Sequence, residues 1–272
     1  MSDEACAFPM PHAPFLMPML KAIGFDLWET LITDSTELSR RQERLRLTRM
    51  EETLRSSGFT AEAERIEKAY RRLWHRCHDL YWSADIDVPC RRQIEHFLEE
   101  LGLETSSFTD EALESLELAY AHAAVEIPPA MVAGAMETLM AVKARGMRVG
   151  LISNTGRTPG YALRRVLEQN GMAAYIDAMV FSNEHGACKP QLSIFEALRS
   201  ALDVDWPEML FIGDNLYVDV FGAQRCGMRA VHFDQPTRGT AVAPPVQLEH
   251  PVVPDATITN LSDLPRVIES LS

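Results

Sequence analysis

The apolar and polar positions of this chain follow two regimes. Ala22 to Phe25 is a short apolar run that ends at Asp26, the pattern of a buried strand. From Thr33 to about Ile127 that signal stops, and spacing by three and four residues takes over. Ala63, Ile66, Tyr70, Leu73, Trp74 and Cys77 form one apolar stripe, which predicts an amphipathic helix. Ile94, Phe97, Leu98 and Leu101 form a second, which stops at Gly102 as a helix end. Thr109 and Asp110 supply caps for a further helix that reaches Val125, and Pro128–Pro129 closes the stretch.

Helices and strands then alternate. The pattern predicts a helix over Met131–Ala144, a strand over Arg148–Ile152 and a helix from Thr158–Pro159 to Gly171. A strand follows at Ala178–Phe181, a helix at Leu192–Leu202, a strand at Met209–Ile212, a helix at Val218–Cys226 and a strand at Ala230–Phe233. Pro236–Pro254 is a Pro-rich loop, and Thr257–Thr259 and Leu264–Leu271 supply a last strand and helix.

This order implies an α/β fold: a doubly wound, mostly parallel Rossmann-like sheet covered on both faces, with an α-helical cap inserted after the first strand. The expected division is a Pro-rich N-terminal arm over residues 1–20, a core over 21–32 and 129–272, and a helical cap over 33–128. Open α/β sheets bind ligands outside the carboxyl ends of their strands. The chemistry is therefore expected just after Phe25, Ile152 and Ile212.

Composition narrows the classes. The 272 residues are 46% hydrophobic and 24% charged, which excludes a disordered chain or a fibre. A net charge of −13 argues against a nucleic-acid binder, because polyanions are bound through Lys and Arg. No apolar run is long enough to span a membrane, and the N-terminus, with Asp3 and Glu4, makes a poor signal peptide. Five scattered cysteines suit a reducing cytoplasm. Of the basic residues only Lys21, Lys68, Lys143 and Lys189 are lysines, so a mechanism that needs an amine has four candidates.

Four local patterns sit at the expected strand ends. Asp26 opens Asp26-Leu27-Trp28-Glu29-Thr30, where a carboxylate can serve as nucleophile or metal ligand, or simply cap a turn. Ser153-Asn154-Thr155-Gly156 offers a hydroxyl and backbone N–H groups to an anionic oxygen, although Ser-Asn is also a common turn pair. Lys189 stands just before a helix, where it can neutralise a carboxylate and an anion or remain solvated. Gly213-Asp214-Asn215, with Asp219 five residues beyond Asp214, supplies carboxylates for a hard cation shared with Asp26.

Together and in this order, these patterns resemble the four motifs of the haloacid dehalogenase superfamily, from about Ala22 to the end of the chain. The resemblance implies that Asp26 is a nucleophile assisted by Thr30, that Ser153 and Asn154 belong to the second motif, that Lys189 is the third-motif cation, and that Asp219 is a fourth-motif acid. It implies a Mg²⁺ site made from Asp26, the backbone carbonyl of Trp28 and Asp214. Trp28, Glu29, Thr155 and Asn215 would lie against the substrate.

The chain departs from that pattern at two adjacent positions, Trp28 and Glu29, the second of which is usually glycine in the family. Phosphatases of the superfamily carry a second Asp two residues after the nucleophile, as general acid and base. Here it is Trp28, which transfers no proton. Haloacid dehalogenases carry an aromatic residue there, but they lack the fourth-motif metal acid that Asp214 represents. The expectation is a Mg²⁺-dependent phosphatase acting on a small anionic metabolite through an aspartyl-phosphate, as a monomer or homodimer. A metal-independent 2-haloacid dehalogenase and a catalytically weak binding or regulatory protein are the alternatives.

The inserted segment adds lesser candidates. Arg40, Arg41, Arg44, Arg46 and Arg49 could each serve a substrate carboxylate. Lys68, the cap's one lysine, could form the Schiff base that superfamily phosphonatases use, but its place beside Glu67 fits a solvated helix face better. His75, Cys77, His78, Asp79, Asp85, Asp87 and Cys90 have metal-ligand chemistry without the spacing of a known zinc site, and Trp74, Cys77 and Tyr81 fit a core stripe. Leu38–Arg76 is net basic and Cys77–Pro128 net acidic, which predicts helices that pair opposite charges.

Overall fold

The computed structural model describes residues 19–235 and 251–271. The expected N-terminal arm, apart from Met19 and the buried Leu20, and most of the Pro-rich loop lie outside them. Strand β1 is Ala22–Asp26, followed by a two-residue β2 at Ile32–Thr33. Five helices come next: α1 (Thr36–Ser56), α2 (Ala63–Leu80), α3 (Cys90–Glu100), α4 (Asp110–Ala121) and the short α5 (Ala123–Glu126). Then follow β3 (Ala130–Met131), α6 (Ala135–Ala144), β4 (Arg148–Ser153), α7 (Gly160–Gln169), β5 (Ala178–Phe181) and the one-turn α8 (Ser182–His185). The chain continues with α9 (Leu192–Leu202), β6 (Met209–Gly213), a π-helical turn at Leu216–Phe221, α10 (Gly222–Arg225), β7 (Arg229–Phe233), β8 (Ala256–Ile258) and α11 (Leu264–Leu271).

Six strands form one parallel sheet in the order β5-β4-β1-β6-β7-β8. β1 and β6 are buried along their whole length, which is why they read as continuous apolar runs rather than alternating ones. One face of the sheet packs Phe25, Leu151, Leu163 and Leu210 with α6 and α7; the other packs Ile152, Phe211 and α9. Leu198 of α9 lies so close to Gly24 and Gly150 that an added Cβ at either would come within 3.2 Å of its methyl carbons. Ser35 and Thr109 cap α1 and α4 through their side chains.

α1 to α4 enclose an apolar cluster of their own, built on Met50, Tyr70, Leu73, Phe97, Leu116 and Tyr120. The two charge blocks pair as expected: Arg76 bridges to Glu99 and Glu100, and Arg49 to Glu126. No helix among the described residues is long and apolar enough to cross a membrane.

The element boundaries differ from the sequence reading in three places. Ala130–Met131 is strand, not the start of a helix, because it pairs antiparallel with Ile32–Thr33 across the neck of the helical segment. The helix expected to run from Thr109 to Val125 breaks at His122 into α4 and α5. Val218–Cys226 divides into the π-helical turn and α10, with Asp219 carried on the π turn.

Candidate active site

β1 lies in the centre of the sheet, so its last residue, Asp26, emerges between the ends of β4 and β6. Lys189, from the loop before α9, reaches this point. Its Nζ donates to Asp26 Oδ1 at 2.5 Å and to Asp219 Oδ1 at 2.6 Å, and its side chain is 1% exposed. Thr30 Oγ1 donates to the other oxygen of Asp26 at 3.1 Å. The second oxygen of Asp219 accepts the backbone N–H of Asn215 at 3.0 Å. Carboxylate oxygens of Asp26, Asp214 and Asp219 all lie within 4.8 Å of one another.

Burial pushes the Asp26 carboxyl up to about 6; the Lys189 charge opposes this and the Asp219 charge adds to it. Burial also works against the Lys189 ammonium, but the Asp219 and Asp26 carboxylates outweigh it and hold the lysine above its ordinary value. Lys189 is therefore charged and belongs to the site. Three clustered carboxylates repel one another, and Lys189 pairs with two of them. The donor set is all oxygen and anionic, which fits a hard divalent cation such as Mg²⁺.

The turn after Asp26 is built tightly. The N–H groups of Thr30, Leu31 and Ile32 converge on the Leu27 carbonyl, not on that of Trp28, the one the resemblance assigns to the metal. Trp28 is half-buried and packs against the apolar core. Glu29 has φ 59°, a conformation that favours glycine. Its carboxylate is buried, and Oε2 accepts Thr33 Oγ1 and Gln235 Nε2 at 2.8 Å each. Glu29 therefore holds the turn together and is sealed from solvent.

The strand-end loop after β4 divides its duties. Asn154 exchanges two hydrogen bonds with the Lys189 backbone, at 2.8 and 3.1 Å, and so sets the lysine's position. Ser153 Oγ is buried with no hydrogen-bond partner. A buried hydroxyl with an open bond is what an incoming anionic oxygen would satisfy. Thr155 is committed elsewhere: its hydroxyl donates to Asp87 at 3.1 Å and its N–H to Ser182 Oγ at 2.9 Å. Asn215 is spent as a cap, accepting from the N–H groups of Tyr217 and Val218.

Gly213 carries a strict steric demand. A Cβ there would stand 2.3 Å from Cγ of Asp219. Only glycine lets the Asp219 carboxylate fold back over the strand end toward Lys189.

Asp87 was grouped by sequence with possible metal ligands of the helical segment. Among the described residues that group does not converge; Asp26, Asp214 and Asp219 do. Asp87 instead accepts Trp82 Nε1, the N–H of Val88, Thr155 Oγ1 and Ser182 Oγ, and so ties the helical segment to two strand-end loops. The backbone adds an Ile86–Ala187 bridge two residues before Lys189. Sequence alone missed this role, since Thr155 and Ser182 lie far from Asp87 along the chain. Of the six arginines on α1, Arg46 is the buried one, and it donates to the Tyr120 carbonyl and to Thr158 Oγ1. Lys68 is exposed. Trp74, expected in the core stripe, is 38% exposed at the edge of the helical segment.

With this geometry, the comparisons with known proteins agree. The model of haloacid dehalogenase-like hydrolases matches residues 20–227, and the chain belongs to that family of hydrolases. It is 29% identical over 219 residues to the glyceraldehyde 3-phosphate phosphatase of Pyrococcus abyssi, covering 79% of this chain and 82% of that one. It is 25% identical over 255 residues to the N-acylneuraminate-9-phosphatase of Mus musculus, covering 93% and 95%. Among solved structures, the 2-haloacid dehalogenase from Pseudomonas syringae superposes with a TM-score of 0.65 at 27% identity, over 93% of this chain and all of that one.

Proposed function

We propose that this hydrolase is a Mg²⁺-dependent phosphatase acting on a small phosphorylated metabolite through an aspartyl-phosphate on Asp26. The observation that carries the reading is the cluster of Asp26, Asp214 and Asp219 beside Lys189. Displacement of halide from a monoanionic acid has little use for three carboxylates, whereas a dianionic phosphoryl group needs concentrated positive charge. Asp26, Asp214 and the Trp28 carbonyl would hold the ion, which when bound supplies electrostatic stabilisation of the phosphoryl oxygens. The phosphatase names of the two relatives support the same choice.

In this mechanism an oxygen of Asp26 attacks phosphorus, and the bond to the leaving oxygen breaks. Lys189 and the Ser153 hydroxyl bind the equatorial oxygens. Water then attacks the aspartyl-phosphate at phosphorus, releasing phosphate and restoring the carboxylate. Trp28 gives the leaving oxygen no proton, and Glu29 is sealed behind Thr33 and Gln235. Substrates whose leaving groups need no proton, acyl and aryl phosphates, are therefore favoured. The segment between β2 and β3 acts as the cap, and its own apolar core lets it serve as a separate domain over the strand ends. A reducing cytoplasm suits the buried free thiols of Cys77, Cys90, Cys188 and Cys226.

One observation favours a second reading, a 2-haloacid dehalogenase: the indole of Trp28 at the position of the missing acid, in a fold shared with the P. syringae dehalogenase. Two assays separate them. Phosphate release from acetyl phosphate that EDTA abolishes supports the phosphatase. Chloride release from 2-chloropropionate that ignores EDTA overturns it.

A further inference from the structure

Arg157 lies four residues beyond Ser153, on the same strand-end loop. Their Cα atoms are thus at most about 14 Å apart. Its guanidinium reaches across to the helical segment, where its Cζ stands 4.6 Å from the ring centre of Tyr70 and 4.5 Å from that of Trp74. The two aromatic residues are one turn apart on α2 and so share a face.

What sets Arg157 apart is what it lacks. Its Nε is buried with no hydrogen-bond partner, and among the described residues no carboxylate or carbonyl pairs with its guanidinium. Arg46, its neighbour in this seam, spends donors on Tyr120 and Thr158. A partly buried cation held only by ring faces is incompletely compensated. The loop that presents it is clamped on both sides. Gln93, itself held by the Tyr120 hydroxyl, donates to the Gly156 carbonyl at 3.1 Å, and Arg46 donates to Thr158 at 3.1 Å. Arg157 is thereby presented rigidly from the loop whose first residues meet Lys189.

We propose that Arg157 is a specificity-determining residue that binds a second anionic group on the substrate, a carboxylate or a second phosphoryl group, at the end remote from Asp26. The inference deepens the phosphatase reading by naming the substrate class, a metabolite with an anion at each end, and rests on that reading for the reacting end. Contact with aromatic rings leaves the in-plane N–H fork as the recognition element, which suits a bidentate oxyanion.

The test measures binding, so that it does not depend on turnover. Calorimetric titration compares methylphosphonate with phosphonoacetate, phosphonopropionate, phosphonobutyrate and methylenebisphosphonate, on the wild type, Arg157→Gln and Arg157→Lys, with melting curves to confirm folding. At least one two-ended ligand is expected to bind the wild type roughly tenfold or more tightly than methylphosphonate. Arg157→Gln should erase that preference while leaving methylphosphonate affinity unchanged, and Arg157→Lys should keep part of it. The carboxylate and bisphosphonate arms tell which anion the fork prefers. Equal affinities across the series in the wild type, or equal weakening of every ligand by Arg157→Gln, would overturn the proposal. A protein that shows the preference but releases phosphate from neither acyl phosphates nor phosphate esters would overturn the phosphatase reading and leave this one standing.

Discussion

Lys189 donates to Asp26 at 2.5 Å from a position where both side chains are under a tenth exposed. A buried ammonium between Asp26 and Asp219 is the electrostatic keystone of the strand ends. Lys189→Met leaves two buried carboxylates unpaired. Unfolding in urea should show a loss of about 3–5 kcal/mol, and turnover should fall by about 10²-fold or more. A variant as stable as the wild type would mean the pair is solvated in solution.

Gly213→Ala tests the steric demand at the end of β6. The added methyl collides with the Asp219 carboxylate, which must move away from Lys189. Expected are a destabilisation of about 1–3 kcal/mol in denaturant titrations and a marked loss of turnover under saturating substrate. Unchanged turnover would show that Asp219 need not face Lys189.

Trp28→Asp should restore a proton donor. Activity on alkyl phosphates is expected to rise by about 10²-fold, with little change on acyl or aryl phosphates, whose leaving groups need no proton. The indole packs against the core, so a stability cost of about 1–3 kcal/mol should accompany the gain. Equal change on both substrate types would show that proton transfer does not limit the enzyme.

His96 gives a pH dependence outside the site. Its side chain is 1% exposed, and burial holds its pKa below the ordinary value; one ring nitrogen pairs with Tyr81 and the other with Glu99. A lowered histidine pKa means the unfolded chain binds more protons, so the contribution is complete above about pH 6.5 and shrinks as pH falls below it. Glu99, also lowered, loses its own contribution only as pH falls below its ordinary carboxylate range. The melting temperature should therefore drop between pH 7.5 and 5.5, and His96→Gln should flatten that drop. An identical slope in both proteins would assign the dependence elsewhere.

The parallel sheet and the residues at its strand ends were legible in sequence because both are local. A strand buried on both faces reads as an apolar run, and Asp26, Ser153 and Asp214 fall directly at or after such runs. The roles of Thr155 and Asn215 were not. Nothing near Thr155 in the chain reveals that Asp87 takes its hydroxyl, and the use of Asn215 as a cap depends on the backbone of the π-helical turn. β3 escaped for a similar reason, since two residues carry no periodicity and exist as strand only because Ile32 and Thr33 pair with them. Glu29 stands between the two cases: its departure from the family's usual glycine was visible, but its carboxylate's partner Gln235 lies on the far side of the chain.

The most direct test of the central claim is mass spectrometry of enzyme quenched in acid during turnover of acetyl phosphate with Mg²⁺. The account predicts an added phosphoryl group on the peptide that carries Asp26, absent after EDTA and absent from Asp26→Asn. An unmodified Asp26 under those conditions, with an ester adduct forming there from 2-chloropropionate instead, would contradict it.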